Sequence, residues 1–218
     1  MNKWFYENLF YLTSDKTRIQ KLVDHYEIYK KISKLNGDII ECGVFKGVSL
    51  IRFLTFRDID ETSKTKKIYG FDAFGSFPKM ATDKNHKKRD TNFAKLHDNK
   101  IGIGINIKKL DNALKKKGFK NYELIKGNVT NTIDQFLNKK KNLKISLLHL
   151  DMDIYTPTIH SLNKFFKYIV KNGVILIDDY RHIKGATIAI DEFLRNNKRL
   201  KIQKISSTSR PSFIIKNR

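Results

Sequence analysis

Alternation between short apolar strands and helical segments is the feature of this sequence that most limits its fold. Apolar spacing over residues 15–33 predicts a helix ahead of the sheet, with Ser14 or Asp15 as its cap. Beyond it the alternation predicts an α/β fold, with a mostly parallel sheet and helices on both faces. The predicted strands are residues 38–42, 67–72, 121–125, 145–151, 173–178, 201–205 and 212–216. The predicted helices start near 47 and cover about 105–117, 131–138, 156–170 and 184–195.

Two further segments complete the predicted architecture. Only residues 206–211 separate the last two strands, too few for a crossover helix, so these strands should form an antiparallel hairpin. Residues 74–105 show little periodicity and predict a long, lid-like loop. A chain of 218 residues fits a single domain, and we assign residues 1–36 as its N-terminal helical region.

The charge of the chain invites a nucleic-acid interpretation, because its formal net charge is +22. The lysines are spread over presumed helix faces and loops beside many asparagines, and this pattern favours an ordinary solvated surface.

No apolar run approaches the ~20 residues of a membrane span, and the start lacks the apolar core of a signal peptide. We therefore expect a cytoplasmic protein. The single cysteine, Cys42, predicts core packing and neither a disulfide nor a zinc site.

The first candidate site follows the first predicted strand, where Glu41 precedes Gly43 and Gly47. The glycines allow a tight turn and a close approach to a ligand, and amides at the start of the next helix can bind an anionic group. This acid-x-Gly-x-x-x-Gly pattern differs from the dinucleotide fingerprint Gly-x-Gly-x-x-Gly. The alternative is a plain strand-to-helix turn with an exposed Glu41.

Two more strand ends extend this predicted cofactor site. Asp72 ends the second strand, where such sheets place a carboxylate on ribose hydroxyls, although it can also be a turn or cap acid. The third strand ends in Gly127 and Asn128, which can edge an adenine ring. The predicted cofactor-binding residues are Glu41, Gly43, Val44, Gly47, Ser49, Asp72 and Asn128.

Four carboxylates follow the fourth and fifth strands. If these strands are neighbours, Asp151, Asp178 and Asp179 meet at one edge of the sheet and repel one another. A bound Mg²⁺, or Mn²⁺ or Ca²⁺, removes that repulsion. Otherwise the acids cap the following helices or form ion pairs with nearby cations, namely Lys171, Arg181 and Lys184. In the same strand, His149 lies among leucines and predicts a satisfied core histidine rather than a ligand.

Four motifs together resemble the macrocin O-methyltransferase family of the TylF and MycF type, over about residues 15–195. The motifs are residues 37–44, 71–78, 150–155 and 177–180. The resemblance implies a Rossmann-like class I methyltransferase fold with a seven-stranded sheet. It also implies S-adenosylmethionine and a divalent metal as cofactors, and a hydroxyl of a sugar or of another small molecule as the acceptor. No nucleic-acid partner and no membrane span are expected, and a homo-oligomer is left open.

The resemblance also assigns roles to the acids. It implies Asp151, Asp178 and Asp179 as metal ligands, with Asp151 at the catalytic centre. Asp153 becomes the candidate general base, because a hydroxyl bound to a metal is more acidic and needs only a nearby carboxylate to accept its proton.

Two other functions remain open at this point. A nucleotide-sugar glycosyltransferase could use Asp151-Met152-Asp153 as a metal-binding Asp-x-Asp, but this leaves the Glu41 loop and the Asp178-Asp179 pair unexplained. A basic RNA-binding methyltransferase would use the positive charge, but the sequence lacks the expected motif of stacked aromatic and basic residues.

Overall fold

The computed structural model describes residues 3–60, 64–78 and 85–217, and strands alternate with helices through most of this length. The strands are β1 Asp38–Cys42, β2 Ile68–Asp72, β3 Tyr122–Lys126, β4 Ile145–Leu150, β5 Ile169–Ile177, β6 Ile202–Lys204 and β7 Ser212–Ile215. The helices are α1 Lys3–Thr13, α2 Lys16–Ile32, α3 Val48–Ile59, α4 Lys87–Lys100, α5 Ile107–Lys116, α6 Val129–Lys139, α7 Tyr155–Phe165 and α8 Lys184–Asn196.

The described strands form one seven-stranded sheet in the order β3-β2-β1-β4-β5-β7-β6. Pairing is parallel from β3 through β5, and β7 runs antiparallel to both β5 and β6. All six residues of β4 are buried, as expected for a central parallel strand covered on both faces. The predicted parallel sheet with a C-terminal antiparallel hairpin is confirmed.

Alternate residues of the central strands pack into two separate hydrophobic cores, one on each face of the sheet. In β1, Ile40 belongs to the core that includes Phe136 of α6 and Phe165 of α7, whereas Ile39 belongs to the core that includes Phe53 of α3. This follows from the two-residue period of a strand, which sends successive side chains to opposite faces. The sheet is therefore anchored on both sides, and its carboxyl edge is fixed in position.

Three predicted segments differ from the structure. Helix α1 lies within the N-terminal helical region assigned to residues 1–36, but the helix predicted there from apolar spacing covered only residues 15–33. The helix predicted for residues 156–170 ends at Phe165, and after a short 3₁₀ turn the chain enters β5 at Ile169, which pairs with Ile145 of β4. The segment 74–105 is not a continuous loop, because it contains α4. Residues 79–84 of that segment lie outside the described part of the chain.

Helix α1 exposes a set of large apolar side chains: Trp4, Phe5, Tyr6, Leu9, Phe10, Tyr11 and Leu12. Across the described residues, no helix combines the length and the apolar character needed to cross a membrane.

Candidate active site

A cavity of about 650 Å³ opens at the carboxyl edge of the sheet. Its wall includes residues that directly follow β1, β2, β3, β4 and β5, so all five parallel strands contribute to it. The chain order reverses here between β1 and β4, which is where ligands bind in open α/β sheets. The volume lies within the usual range for small-molecule sites.

Gly43 brings the end of β1 against the end of β4. Its backbone φ is 95°, and a Cβ at this position would lie 1.8 Å from the carbonyl oxygen of Asp151. The amide of Asp151 in turn donates to the carbonyl of Cys42 at 2.9 Å. The close approach that a glycine allows here is therefore to the backbone of β4, and Gly43 also lines the cavity.

Asp72 fixes the loop that follows β1. One carboxylate oxygen accepts hydrogen bonds from the amides of Val44 and Phe45, each at 2.9 Å, and the other accepts from the amide of Phe74 at 2.6 Å. Asp72 also lines the cavity. Its carboxylate thus has a structural task, and the predicted contact with a ribose stays a prediction.

Glu41 is fully buried, so the alternative of an exposed glutamate is wrong. Its Oε1 accepts a hydrogen bond from the hydroxyl of Ser49 and lies 3.6 Å from Nδ1 of His149. The described residues that line the cavity include Gly43, Asp72 and Asn128, but not Glu41, Val44, Gly47 or Ser49. Direct contacts of these four residues with a cofactor therefore stay predictions.

Asn128 both caps a helix and lines the cavity. Its side-chain oxygen caps α6 by accepting from the amide of Thr130 at 3.1 Å, and the residue lines the cavity beside Gly127. Contact with the edge of an adenine ring remains the predicted role of this part of the cavity wall.

Three carboxylates form what we call the acid cluster: Asp151, Asp153 and Asp179. One oxygen from each lies within 4.8 Å of the other two, and all three residues line the cavity. The predicted metal set contained Asp178 in the place of Asp153. The structure instead turns Asp178 towards α2, where its Oδ2 lies 2.5 Å from the ammonium of Lys21.

Two cations approach these acids from distant parts of the chain. Lys21 also lies 3.7 Å from Oδ2 of Asp151, and Arg210 of the β6–β7 loop lies 2.5 Å from Oδ1 of Asp179. Neither was predicted, because no local spacing in the sequence connects them to the acids. The nearby cations proposed as alternative partners, Lys171, Arg181 and Lys184, form no ion pair with these acids in the described structure.

Burial dominates the electrostatics of the acid cluster. Burial and the nearby Asp178 raise the pKa of Asp151 to about 8, and burial and the nearby Asp179 raise the pKa of Asp153 to about 9. Burial would also raise the pKa of Asp178, but His25 and the Lys21 ammonium hold that pKa well below its usual range. The cluster is thus short of positive charge, and a cation would favour its ionised form.

The backbone of Asp153 is held in an unusual conformation. Its φ is 64°, a left-handed value that costs a non-glycine residue roughly 1–3 kcal/mol. The start of α8 holds it there, because the amide of Ala186 donates to the Asp153 carbonyl at 3.0 Å and Gly185 leaves room for the contact. Asp153 is therefore presented to the cavity by a rigid turn.

An aromatic wall faces the cavity from the side of α4. Phe93, Leu96 and His97 come from this helix, and the His97 ring lies 5.2 Å from the ring of Phe45 and 5.3 Å from that of Phe77. Sequence reasoning missed this wall because α4 is mostly polar and buries few residues, so its apolar period is weak.

A match to a protein-family model decides the family. The model of the macrocin-O-methyltransferase (TylF) family matches residues 10–209. The chain belongs to that family. This TylF-family protein is an S-adenosylmethionine-dependent O-methyltransferase, and the glycosyltransferase alternative is set aside. No curated protein sequence matches the chain.

Solved structures agree with this protein in fold. CalS11, a calicheamicin methyltransferase, has a TM-score of 0.72 at 19% identity and aligns over 99% of this chain and 86% of its own. The O-methyltransferase NovP has a TM-score of 0.71 at 16% identity, over 92% of this chain and 81% of its own. A Bacillus cereus O-methyltransferase in complex with SAH reaches 0.52 at 14% identity, over 90% and 79%. The class I methyltransferase fold is thereby confirmed.

Proposed function

We propose that this TylF-family protein transfers the methyl group of S-adenosylmethionine to a hydroxyl of a sugar or glycosylated acceptor, with the help of a divalent cation. The observation that carries the proposal is the shared cavity. Its wall joins Gly43, Asp72 and Asn128, from the cofactor side of the sheet, to the acid cluster. The solved relative CalS11 is described as a TDP-rhamnose 3'-O-methyltransferase, which supports a sugar acceptor.

The cavity fits a sulfonium cofactor in size and chemistry. S-adenosylmethionine, when bound, supplies an electrophilic methyl group. The residues around it supply a polar edge from Asp72 and Asn128 and the aromatic wall of α4. Closed over the cofactor, that wall would exclude water, which favours a transfer in which a charged sulfonium becomes a neutral thioether. We propose the α4 segment as the lid of the site.

The acid cluster fits a hard divalent cation such as Mg²⁺. Its three carboxylates supply oxygen atoms, which Mg²⁺ prefers as ligands. One oxygen of each carboxylate lies within 4.8 Å of the other two, close enough for a single ion. In this proposal Asp151 and Asp179 hold the cation, and Asp153 accepts the proton of the acceptor hydroxyl. A cation at this place makes a hydroxyl more acidic. Asp178 remains a candidate ligand only if its carboxylate turns away from Lys21.

Calorimetric titration of the full chain tests the proposal, first with S-adenosylmethionine and then with Mg²⁺. Methyl transfer to nucleotide sugars and to glycosides is then followed by mass spectrometry, with and without EDTA. We expect cofactor binding without metal and turnover only with metal. Asp134→Asn is the matched control, because this acid of α6 is half exposed and pairs with Lys164 away from the cavity. Full turnover in EDTA rejects the metal, and failure to bind the cofactor rejects the whole proposal.

A further inference from the structure

A second group of potential ligands lies below the acid cluster, among buried residues. His25 of α2, His149 of β4 and Asp178 at the end of β5 each place one ligand atom within 4.8 Å of the other two. Both histidines are 0% exposed and Asp178 is 3% exposed. This group, the histidine site, is chemically distinct from the acid cluster because it offers nitrogen as well as oxygen.

The polar atoms of the histidine site lack hydrogen bonds and have only longer contacts, from His25 to Asp178 and from His149 to Glu41. Both ring nitrogens of His25 and of His149, and Oδ1 of Asp178, are buried without a hydrogen bond to any described residue. His149 lies in the core as expected, but its Nδ1 is 3.6 Å from Oε1 of Glu41, which is longer than a normal hydrogen bond. Each buried polar atom without a partner costs about 1–3 kcal/mol. Five such atoms at one point therefore indicate a ligand that can satisfy several of them together.

The rings are also confined on their apolar side. The ring of Phe53 stacks on that of His25 at 5.2 Å and meets the ring of His149 edge-on at 5.6 Å. The two imidazoles lie 5.3 Å apart and edge-on to each other. The nitrogens of His25 and His149 thus have Asp178 and Glu41 as their acidic neighbours.

The separations are too long for hydrogen bonds and suit a bridging ion. Nε2 of His25 lies 4.0 Å from Oδ1 of Asp178, whereas hydrogen bonds end near about 3.2 Å. Two donors of a tetrahedral ion with ligand distances of about 2.0–2.2 Å lie roughly 3.4 Å apart, so a movement of about 0.6 Å brings these two atoms to ligand spacing. Because Lys21 occupies only Oδ2 of Asp178, Oδ1 is available.

Glu41 supplies the support that a ligating histidine usually has. It is the register partner of His149 across β1 and β4, and its Oε1 lies 3.6 Å from Nδ1 of that ring. A carboxylate behind the non-ligating nitrogen orients the ring and increases its basicity, which leaves Nε2 to bind the ion. With Asp178, Glu41 also brings two negative charges that a dication balances.

We propose that His25, His149 and Asp178 bind a transition-metal ion of the Zn²⁺ class. Two imidazoles and a carboxylate form the donor set that such ions prefer, whereas the acid cluster offers oxygen alone. The site goes beyond the proposed methyl transfer and does not depend on it. Bound metal would join α2 to the centre of the sheet and hold Lys21 over the cavity.

Metal analysis of the full chain, followed by Co²⁺ titration of the chelated protein, tests the proposal. We expect one equivalent of Zn²⁺ or Co²⁺ per chain, with an absorption spectrum typical of imidazole ligation. His25→Asn should weaken Zn²⁺ binding by more than about a hundredfold, and Glu41→Gln by about 10–100-fold. Asp153→Asn changes only the acid cluster, and His160→Gln, a half-buried histidine of α7, is the matched histidine control. Both should leave the spectrum unchanged.

Circular dichroism first establishes that each variant is folded, and His149→Asn replaces His25→Asn if the latter is not. Crystals of the unaltered protein give an answer that needs no variant. Anomalous scattering at the zinc edge should place a peak between Nε2 of His25 and Oδ1 of Asp178. An ordered water at that point, the absence of bound metal, or Co²⁺ binding unaffected by loss of both histidines would overturn the proposal. The presence or absence of this metal in the unaltered protein is a separate result from its binding of S-adenosylmethionine, so failure of one proposal can be told from failure of the other.

Discussion

The two halves of the cavity use their strand-end acids in opposite ways. At the ends of β1 and β2, where cofactor binding is proposed, Asp72 accepts three backbone amides and Glu41 is buried behind the wall. On the other side, Asp151 and Asp153 face the cavity with raised pKa values and few donors. Acids that look alike in the sequence therefore divide into those that hold a loop through hydrogen bonds and those that face the cavity with few such bonds. What distinguishes them is the supply of hydrogen-bond donors nearby.

The largest effect should come from Asp151→Asn, which removes one carboxylate from the acid cluster. We expect kcat to fall about a thousandfold, because a bound cation contributes several kcal/mol of charge stabilisation and each 1.36 kcal/mol is tenfold. Affinity for S-adenosylmethionine, measured by calorimetry, should stay within about threefold. EDTA on the unaltered protein should reproduce the loss. Equal losses of cofactor affinity and turnover would mean that the two halves are not separate.

A smaller effect should follow at the contact between the halves. Gly43→Ala places a Cβ against the Asp151 carbonyl and forces a left-handed φ on alanine. We expect the free energy of unfolding in urea to fall by about 3 kcal/mol. Gly118→Ala is a useful control, because that glycine also has a positive φ but meets no atom within 4 Å. If both variants lose the same stability, the contact with β4 contributes nothing beyond backbone strain.

Asp72→Asn tests the half that shapes a loop. The charged acceptor of the Val44 and Phe45 amides is lost, which should cost about 1.5–3 kcal/mol of stability. Affinity for S-adenosylmethionine should weaken about tenfold, while kcat at saturating cofactor changes little. Calorimetry and saturation kinetics measure the two quantities. A fall in kcat with unchanged stability would place Asp72 among the ligand-binding acids instead.

Arg210→Gln should have the smallest effect. Its side chain is 55% exposed and can be replaced by solvent or a cation, so although Asp179 is buried we expect the loss of this ion pair to cost only about 1 kcal/mol. Because Arg210 competes with a cation for Asp179, its removal should tighten Mg²⁺ binding about threefold or less. Titration with Mg²⁺ in the presence of cofactor measures the change. Weaker Mg²⁺ binding would show instead that Arg210 holds Asp179 in the binding position.

Most of the sheet could be predicted from the sequence because its strands are short, buried and bounded by turns. The Asp15 cap, the position of β4 and the antiparallel hairpin all depend on local patterns and are confirmed. The bounds of helix α1 within the N-terminal helical region, and the presence of helix α4, could not be predicted because their apolar residues follow no clear helical period. In each case a local signal was missing.

The candidate site was predicted less completely, for a different reason. Asp151 and Asp179 converge because β4 and β5 are neighbours in the sheet, and the alternation of strands and helices in the sequence predicts a parallel sheet in which they can be so. The turning of Asp178 does not follow from that alternation, because it depends on Lys21, which is 157 residues distant along the chain. The same holds for Arg210 and for the meeting of His25 with His149. Side-chain direction at a strand end is set by partners that only the folded chain brings together.

The contact between Gly43 and the Asp151 carbonyl has a consequence for how this enzyme can diversify. This junction between the ends of β1 and β4 is made of main-chain atoms. It leaves no room for a side chain at position 43, but it requires no particular side chain at the neighbouring positions. Mutations in α4 or in the β6–β7 loop can change other parts of the cavity wall while this junction keeps the ends of β1 and β4 in register. The shape of the cavity can therefore change through such mutations while the spacing between the loop after β1 and the acid cluster stays the same.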